Sequence, residues 1–460
     1  MLRRRRQGPR AGCYGAGMWA PGSCPAEPPA LVATLPVPDA WHESYLPPAI
    51  SGGLLLAAGG PAPGAAGDAG PDLVALVALD VVAAVERFRV SMPLAVRGAE
   101  GSQVGLPRPL PDGRILLPVY RWDESFTVYL IDADGRILRE DDLAAGREVE
   151  LDVYGADVGV KLWQEPLAVG ADAYLASWVY RARSWHLQCR DLATGAARWE
   201  APERVIVVAG EVAVTEAEPE RPGVGGTVVG RAVADGTERW RLPPAPIFPE
   251  RARSFGAVVG DSLVLVDRGR RLAAAALREE AIVARAMELD VEPDRIDFDD
   301  LARAWEREHP PPGEDLVGYD LTGGHERWRY PVEGEIVSVA AGPAAVRAVT
   351  VDAARRCRLE RIRLDGQHAH RDEPVTLDAG DEPPAIAYVD DAHLLLASAT
   401  ELVCVSTPAP RTVRWRLPLP DSPLVPRPNP GDRRILAASI AVTRRRVAVR
   451  GFDAVRIYAG

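Results

Sequence analysis

The sequence predicts an all-β fold: an eight-bladed β-propeller that is closed by strands from both chain termini and carries a helical hairpin insertion. Three observations favour it. A turn that leads into an aromatic residue recurs along the chain, eight further turns each start an apolar strand, and an apolar N-terminal segment matches the strand that the last repeat lacks. Regularly spaced strands with turn signals between them are typical of all-β folds, and a fixed repeat length indicates a repeat architecture.

The first observation is a repeated hairpin in which a Trp follows four positions after a turn Gly. Asp or Thr turns the chain through side-chain hydrogen bonds, Gly supplies a positive φ, and the Trp opens the returning strand and buries apolar surface. The residues that define the repeat, which we expect to be structural, are Asp191, Gly195, Trp199, Gly236, Trp240, Asp320, Gly324, Trp328 and Trp415. Weaker copies lie at 80–88, 131–139 and 362–370.

The second observation is a set of eight turns after which apolar alternation restarts. They lie at 52–53, 112–113, 171–172, 209–210, 260–261, 342–343, 390–391 and 444–445. The Trp-type hairpin is found only seven times, so a seven-bladed propeller is the alternative.

The third observation concerns the chain termini. The eighth unit, 435–460, has no returning strand, whereas Leu31–Val37 resembles the segment that follows each Trp. A terminal strand that completes the last unit removes a free sheet edge. We therefore assign 29–460 to the propeller. Residues 1–28, which are rich in Pro, Gly and Arg, are expected to be disordered or loosely attached.

One stretch, 269–312, interrupts the repeat. Trp240 and Trp328 lie 88 positions apart, about twice the interval between the other copies. The Ala-rich run 271–287 and the run 298–308, capped by Asp297 and stopped by Pro310, predict two helices. Helices commonly bind partners through apolar anchors at helical spacing. The candidate partner-binding residues on this hairpin are Met287, Phe298, Leu301 and Trp305.

These hairpins resemble the repeat of quinoprotein (PQQ-like) β-propellers, most clearly at 188–199, 228–240 and 316–328. For the enzymes of that family the resemblance implies PQQ in a central funnel, a calcium ion and a disulfide between adjacent cysteines. The five cysteines here, at 13, 24, 189, 357 and 404, include no adjacent pair. We therefore expect the non-enzymatic branch of the family and no cofactor.

Composition narrows the possible partners and the cellular compartment of the protein. The chain holds 54 Lys and Arg against 65 Asp and Glu, and a net charge of −11 disfavours nucleic-acid binding. No apolar run reaches the 18 residues of a membrane-spanning helix. The odd cysteine count without a CxxC pair argues against a disulfide framework or zinc ribbon and favours the cytoplasm. Arg3–Arg6 followed by Cys13 resemble the ends of a lipoprotein signal peptide, but the apolar region that such a signal needs is missing between them. Export as a lipoprotein is therefore the less favoured alternative.

Several short motifs imitate catalytic or metal sites. Gly260–Leu263 matches the GDSL block of a hydrolase family, and Asp390 with His393 matches its Asp-x-x-His pair. Both occupy the same turn before a strand in two repeats, so we interpret them as turn residues. His368 and His370 lack a third ligand at recognisable spacing. Because arginine almost replaces lysine along the chain, a GC-rich bacterial genome explains the arginine clusters, and we give them little weight.

The sequence therefore predicts a non-catalytic propeller that serves as a protein-interaction scaffold in a bacterial assembly or sensing module. The alternative is an enzyme or small-ligand binder that uses a central funnel. Neither the partner nor the oligomeric state follows from the sequence.

Overall fold

The structure is a computed structural model of the chain. It divides into two compact units, one of Met1–Glu218, Val229–Arg241 and Pro384–Gly460 and one of Pro219–Val228 and Leu242–Pro383. The residues that the structure describes are 25, 27–36, 49–51, 54–59, 73–93, 103–104, 107–120, 126–143, 167–180, 184–217, 226–243, 253–288, 298–309, 312–342, 345–352, 354, 356–365, 368–377, 384–390, 392–398, 400–406, 412–419, 440–443, 446–450 and 454–460.

The described residues form eight antiparallel sheets of four or five strands, which confirms the predicted eight-bladed β-propeller and shows that the seven-bladed alternative is wrong. The first unit holds six of these blades. Blade 1 contains β2 (Ala49–Ser51), β3 (Leu54–Gly59), β4 (Leu73–Asp80) and β5 (Val85–Pro93). Blade 2 contains β6 (Gln103–Val104), β7 (Arg108–Pro109), β8 (Ile115–Tyr120), β9 (Phe126–Ile131) and β10 (Ile137–Asp142). Blade 3 contains β11 (Leu167–Val169), β12 (Ala173–Tyr180), β13 (Ser184–Asp191) and β14 (Ala197–Ala201).

The remaining blades of the first unit follow the same plan. Blade 4 contains β15 (Glu203–Ala209), β16 (Val212–Ala217), β17 (Thr227–Ala232) and β18 (Glu238–Arg241). Blade 7 contains β28 (Ala385–Val389), β29 (His393–Ala397), β30 (Glu401–Ser406) and β31 (Val413–Pro418). Blade 8 contains β32 (Ile440–Thr443), β33 (Arg446–Arg450), β34 (Ala454–Ala459) and, as its fourth strand, β1 (Ala30–Pro36).

The second unit holds two blades and two helices. Blade 5 contains β19 (Arg253–Val259), β20 (Ser262–Asp267), β21 (Asp315–Asp320) and β22 (Glu326–Pro331). Blade 6 contains β23 (Glu335–Gly342), β24 (Ala345–Val351), β25 (Cys357–Asp365), β26 (His368–Arg371) and β27 (Val375–Leu377). The helices α1 (Gly269–Glu288) and α2 (Phe298–Glu308) lie between β20 and β21.

The N-terminal strand completes the last blade, as predicted. β1 pairs antiparallel with β34, from Ala30 opposite Ala459 to Pro36 opposite Ala454. Trp415 Nε1 donates a 2.9 Å hydrogen bond to the carbonyl of Pro25. Pro25, inside the segment expected to be loose, is therefore attached to blade 7. Residues 1–24 lie outside the described part of the chain.

A strand that is covered on both faces of its sheet contains apolar residues at successive positions. In the first unit, separate apolar clusters join blade 7 to blade 8, 8 to 1, 1 to 2, 2 to 3 and 3 to 4. The middle strands are accordingly apolar along their whole length: all six residues of β9 are buried.

The helices begin close to the predicted positions. α1 starts at Gly269, two residues earlier than expected, because the Asp267 carboxylate accepts the N–H of Gly269 at 2.9 Å and caps the helix. The expected cap Asp297 and stop Pro310 lie outside the described residues. Within the described part of the chain, no helix is both long and apolar enough to cross a membrane.

Candidate functional site

The Trp-bearing hairpins join neighbouring blades. In blade 3, Asp191 Oδ1 accepts the N–H groups of Ala193 and Thr194, and Gly195 takes the positive φ of 74° that closes the turn. Trp199 then donates from Nε1 to the carbonyl of Val233 in blade 4 at 2.9 Å. These residues therefore fix one blade to the next one.

Each of these tryptophans lies opposite a small residue on the neighbouring strand. Trp240 faces Gly230, and Trp328 faces Gly318. A Cβ atom on either glycine would come within about 2 Å of the indole ring (2.0 and 2.1 Å), so only glycine fits there. Trp240, Trp328 and Trp415 are buried and Trp199 is half-buried, whereas Gly236 and Gly324 supply the positive φ of their turns.

Cysteine replaces glycine opposite the other two tryptophans. Trp199 faces Cys189, and Trp415 faces Cys404. Burial raises the pKa of the Cys189 thiol to about 12, so this thiol stays protonated and unreactive at neutral pH. The cysteines are packing residues.

The residue before each tryptophan is an arginine, and sequence reasoning missed its role. Arg198 contacts Asp172 at 3.0 Å and Asp191 at 2.7 Å, which lie in the two turns at one end of blade 3. The Arg198 side chain and the Thr194 N–H hold the pKa of Asp191 well below its usual value. In four of the repeated hairpins the Trp is preceded by Arg, at 198–199, 239–240, 327–328 and 414–415, and this recurrence was the available signal.

The same contact accounts for the GDSL-like motif in blade 5. Arg327 contacts Asp261 at 2.7 Å, pairs with Asp320 and lies 3.4 Å from the Ser262 hydroxyl. Its hydrogen bond lowers the pKa of Asp261. Ser262 is buried as the first residue of β20. Asp261 therefore belongs to a structural ion pair with Arg327, and the same guanidinium donates to the Ser262 hydroxyl.

The remaining motifs also lie in turns or on a blade edge. Asp390 Oδ1 accepts the N–H groups of Ala392 at 2.7 Å and His393 at 2.6 Å, so Asp390 shapes the turn before β29. His368 and His370 lie on β26, in the fourth-strand position of blade 6. Among the described residues, no three His, Cys, Asp or Glu side chains come together as metal ligands.

The helical hairpin leaves blade 5 where two aspartates face each other. Asp267 and Asp315, the last residue of β20 and the first of β21, are direct cross-strand partners. Arg329 compensates their like charges, with contacts of 3.1 Å to Asp267 and 2.9 Å to Asp315. Arg270, at the start of α1, pairs with the same Asp315 and ties the helix to the sheet.

A second group of charges ties the hairpin to blade 6. Glu314 is almost completely buried, accepts the N–H of Ile336 at 2.9 Å and pairs with Arg268 at 3.1 Å. Burial raises the pKa of Glu314, and the Arg268 charge opposes that shift. Arg271 reaches Glu335 on β23 at 3.0 Å. The base of the hairpin is therefore fixed to both blades of the second unit.

The two helices contact each other, and an ion pair between described residues joins them. Ala286 and Ala302 are buried, and Arg278 pairs with Glu306 at 3.0 Å. Trp305 stacks on His309 with 4.6 Å between ring centroids. Trp305 and Leu301 are consequently half-buried rather than fully available to a partner.

Four large apolar side chains of the hairpin are exposed. Met287 is 82% exposed and Leu277 is 62% exposed, and about half of each of the Val283 and Phe298 side chains is accessible. At 3.6 residues per turn, Leu277, Val283 and Met287 fall within about a third of the helix circumference. Of the four candidate partner-binding residues, Met287 and Phe298 are thus the accessible ones.

Comparisons with known proteins give no family. No protein-family model matches the chain, and no curated protein matches it. Among solved structures, BamB from Moraxella catarrhalis is 10% identical with a TM-score of 0.49, covering 94% of this chain and 100% of that chain. A europium-containing methanol dehydrogenase is 10% identical with a TM-score of 0.45, covering 94% and 93%. Hsv2 of Kluyveromyces lactis is 8% identical with a TM-score of 0.41, covering 75% and 94%.

Proposed function

We propose that this protein is a non-catalytic scaffold that binds a protein partner through the helical hairpin of blade 5. The observation that carries the proposal is the set of exposed apolar side chains on that hairpin, Leu277, Val283, Met287 and Phe298. Three of these residues, Leu277, Val283 and Met287, fall within about a third of the circumference of α1, and helices bind partners through such spaced apolar anchors.

The hairpin is not needed to build its own blade, which supports a role outside the sheet. β20 and β21 pair in continuous register from Ser262 opposite Asp320 to Asp267 opposite Asp315. A short loop joins antiparallel strands equally well. About 44 inserted residues therefore leave the sheet pairing unchanged and add a firmly based apolar projection.

The non-catalytic part of the proposal is supported by the side chains that most resemble a catalytic set. Asp261 and Ser262 are engaged by Arg327, and Asp390 is used to form a turn. A nucleophilic serine requires a base within hydrogen-bond reach. The Ser262 hydroxyl instead accepts a hydrogen bond from the Arg327 guanidinium at 3.4 Å.

We also propose that the protein resides in the cytoplasm, because its cysteines do not form the pattern of a disulfide framework. Cell fractionation tests this localisation.

The test compares two exposed leucines. Leu277 lies on the hairpin, and Leu138, 53% exposed on β10, serves as the matched control outside it. Partners of the wild-type chain are captured from its own cells, identified by mass spectrometry and purified for titration. We expect Leu277→Glu combined with Met287→Glu to weaken binding at least about tenfold, which is about 1.4 kcal/mol, and Leu138→Glu to leave it unchanged.

Replacing 271–311 with a short Gly/Ser linker provides the complementary variant. It should keep near-native melting and lose partner binding. A purified partner that binds this variant as tightly as the wild type would show that the interaction surface lies elsewhere.

A further inference from the structure

The outer edge of blade 8 differs from the outer edges of the other blades. In every blade the fourth strand ends the sheet, and in blade 8 this strand is β1. β1 has the sequence Ala-Leu-Val-Ala-Thr-Leu-Pro and contains no charged residue. The fourth strands of the other seven blades all contain arginine; in blade 6, where two short strands share the position, it is Arg371.

Charged side chains on an edge strand prevent another strand from pairing with it, because pairing would bury the charge. β1 has no such protection: Leu31 is 53% exposed and Val32 is 52% exposed. The strand is nevertheless fixed in place, because Ala33 and Leu35 pack against the apolar cluster between blades 8 and 1. No described residue pairs with its outer edge.

Blade 2 shows what a protected edge of the same geometry contains. Val32 lies at the β-bulge between the Leu31–Tyr458 and Ala33–Ile457 pairs, and Leu138 lies at the corresponding bulge of blade 2. Both side chains are exposed to the same extent. Leu138, however, is followed by Arg139, Glu140, Asp141 and Asp142, so the edge of β10 is charged beyond the bulge.

We propose that β1 is a self-association edge, along which it pairs antiparallel with β1 of a second copy of this chain. Antiparallel pairing of identical strands is two-fold symmetric and uses up both free edges, and two-fold dimers are the commonest assemblies. In any register, such pairing places only Ala, Leu, Val, Thr and Pro opposite one another. This uncharged edge therefore complements itself, whereas a charged strand would bury its charges against it unpaired.

The strand length sets the strength of the interaction. Pro28 and Pro29 precede β1, and Pro36 ends it, so the ladder cannot extend further in either direction. So few residues bury less than the roughly 800 Å² per partner of a standard interface. We expect a weak dimer that forms with rising protein concentration.

Sedimentation velocity of the full-length protein, over a concentration series up to the millimolar range, tests this. The wild type should shift from monomer to dimer, Val32→Lys should remain monomeric throughout, and Leu138→Lys should behave as the wild type. Thr34→Lys, at another exposed position of β1, gives a second variant. Added salt should strengthen the dimer, because it screens the repulsion between two chains of charge −11 and weakens no ion pair at the edge.

Three results would overturn the proposal. They are a wild type that stays monomeric over the whole series, a folded Val32→Lys variant that dimerises as the wild type does, and equal loss of dimer in Val32→Lys and Leu138→Lys. Since β1 and the helical hairpin are separate surfaces on different blades, none of these results bears on the proposed function.

Discussion

The turn end of a blade and the helical hairpin contain the same residue types with opposite exposure. In blade 5, Arg327 and its partner Asp320 are largely shielded from water, and the neighbouring Trp328 is buried. In the hairpin, Arg278 and Glu306 form an ion pair that is more than one-third exposed, and Trp305 is half-buried. The type of a residue therefore does not determine its role here. The surrounding backbone decides whether an Arg, an acidic residue or a Trp is buried in a sheet or exposed on a helix.

This difference concerns energetics as well as geometry. Exposed ion pairs contribute about 0–1 kcal/mol, whereas breaking a shielded pair leaves a charge without water or a partner. Large aromatic side chains stabilise through the apolar surface they bury. Changes in the blades should consequently be costly, and equivalent changes in the hairpin should be mild.

The largest effect should come from removing a whole strand. Deleting residues 1–36 removes β1 and uncovers the apolar side of β34, so we expect loss of cooperative unfolding in a thermal melt. Deleting residues 1–24 keeps both β1 and the carbonyl of Pro25 that Trp415 contacts, and should leave Tm nearly unchanged. A normal melting transition for the 1–36 deletion would contradict the role assigned to β1.

A smaller but still large effect is expected from one tryptophan. Trp415→Ala removes a buried indole and its hydrogen bond to Pro25, and should lower the free energy of unfolding by roughly 3–5 kcal/mol. Trp305→Ala in the hairpin should cost about 1 kcal/mol or less. Urea denaturation of the full-length chain measures both. Similar losses for the two variants would remove the contrast between blade and hairpin.

The smallest effect concerns the arginine beside the tryptophan. Arg327→Gln leaves Asp261 and Asp320 without their guanidinium and should cost about 1–2 kcal/mol. Arg239→Gln is the control. Its partner Glu211 lies 3.5 Å away and is almost fully exposed, so we expect this variant to lose about 0.5 kcal/mol of stability or less.

The pH dependence of the Arg327→Gln effect follows from the two carboxylates. The Arg327 hydrogen bond lowers the pKa of Asp261; that of Asp320 is lowered too, because hydrogen bonds from Thr322 and Gly323 and the Arg327 charge outweigh its desolvation. A lowered folded-state pKa stabilises the fold above the unfolded value of about 4 and loses this contribution as the pH falls further. The difference between wild type and variant should therefore be full near neutral pH and shrink in acid. A difference that grows below about pH 4 would contradict the ion-pair assignment.

Much of the fold could be predicted because its determinants are local in sequence. The turn between the first two strands could be located in all eight blades, since apolar alternation restarts after it in each and Gly or Asp marks it in seven of them. Blade 6 was harder to predict, because its fourth-strand position is shared by β26 and β27, neither of which carries a Trp.

The candidate site was less accessible to sequence reasoning for two physical reasons. The abundance of arginine along the chain obscured the four arginines that precede the tryptophans of the repeated hairpins, although their positions in the repeat are the same. The first helix of the insertion, α1, is apolar on more than one side, and periodicity does not reveal which side the neighbouring helix covers. Contact between α1 and α2 leaves Met287 accessible and Trp305 half-buried, a distinction that only the packed structure makes.

The pairing of β1 with β34 has a consequence for biosynthesis. Ala30 and its partner Ala459 are separated by nearly the entire chain. At about 5–20 residues per second, β1 leaves the ribosome roughly 20–85 s before the strand it must join. Throughout that interval β1, which contains no charged residue, lacks its partner β34 in the nascent chain. Blade 8 can therefore close only when the last six-residue strand has been synthesised, and until then β1 has both of its edges unpaired.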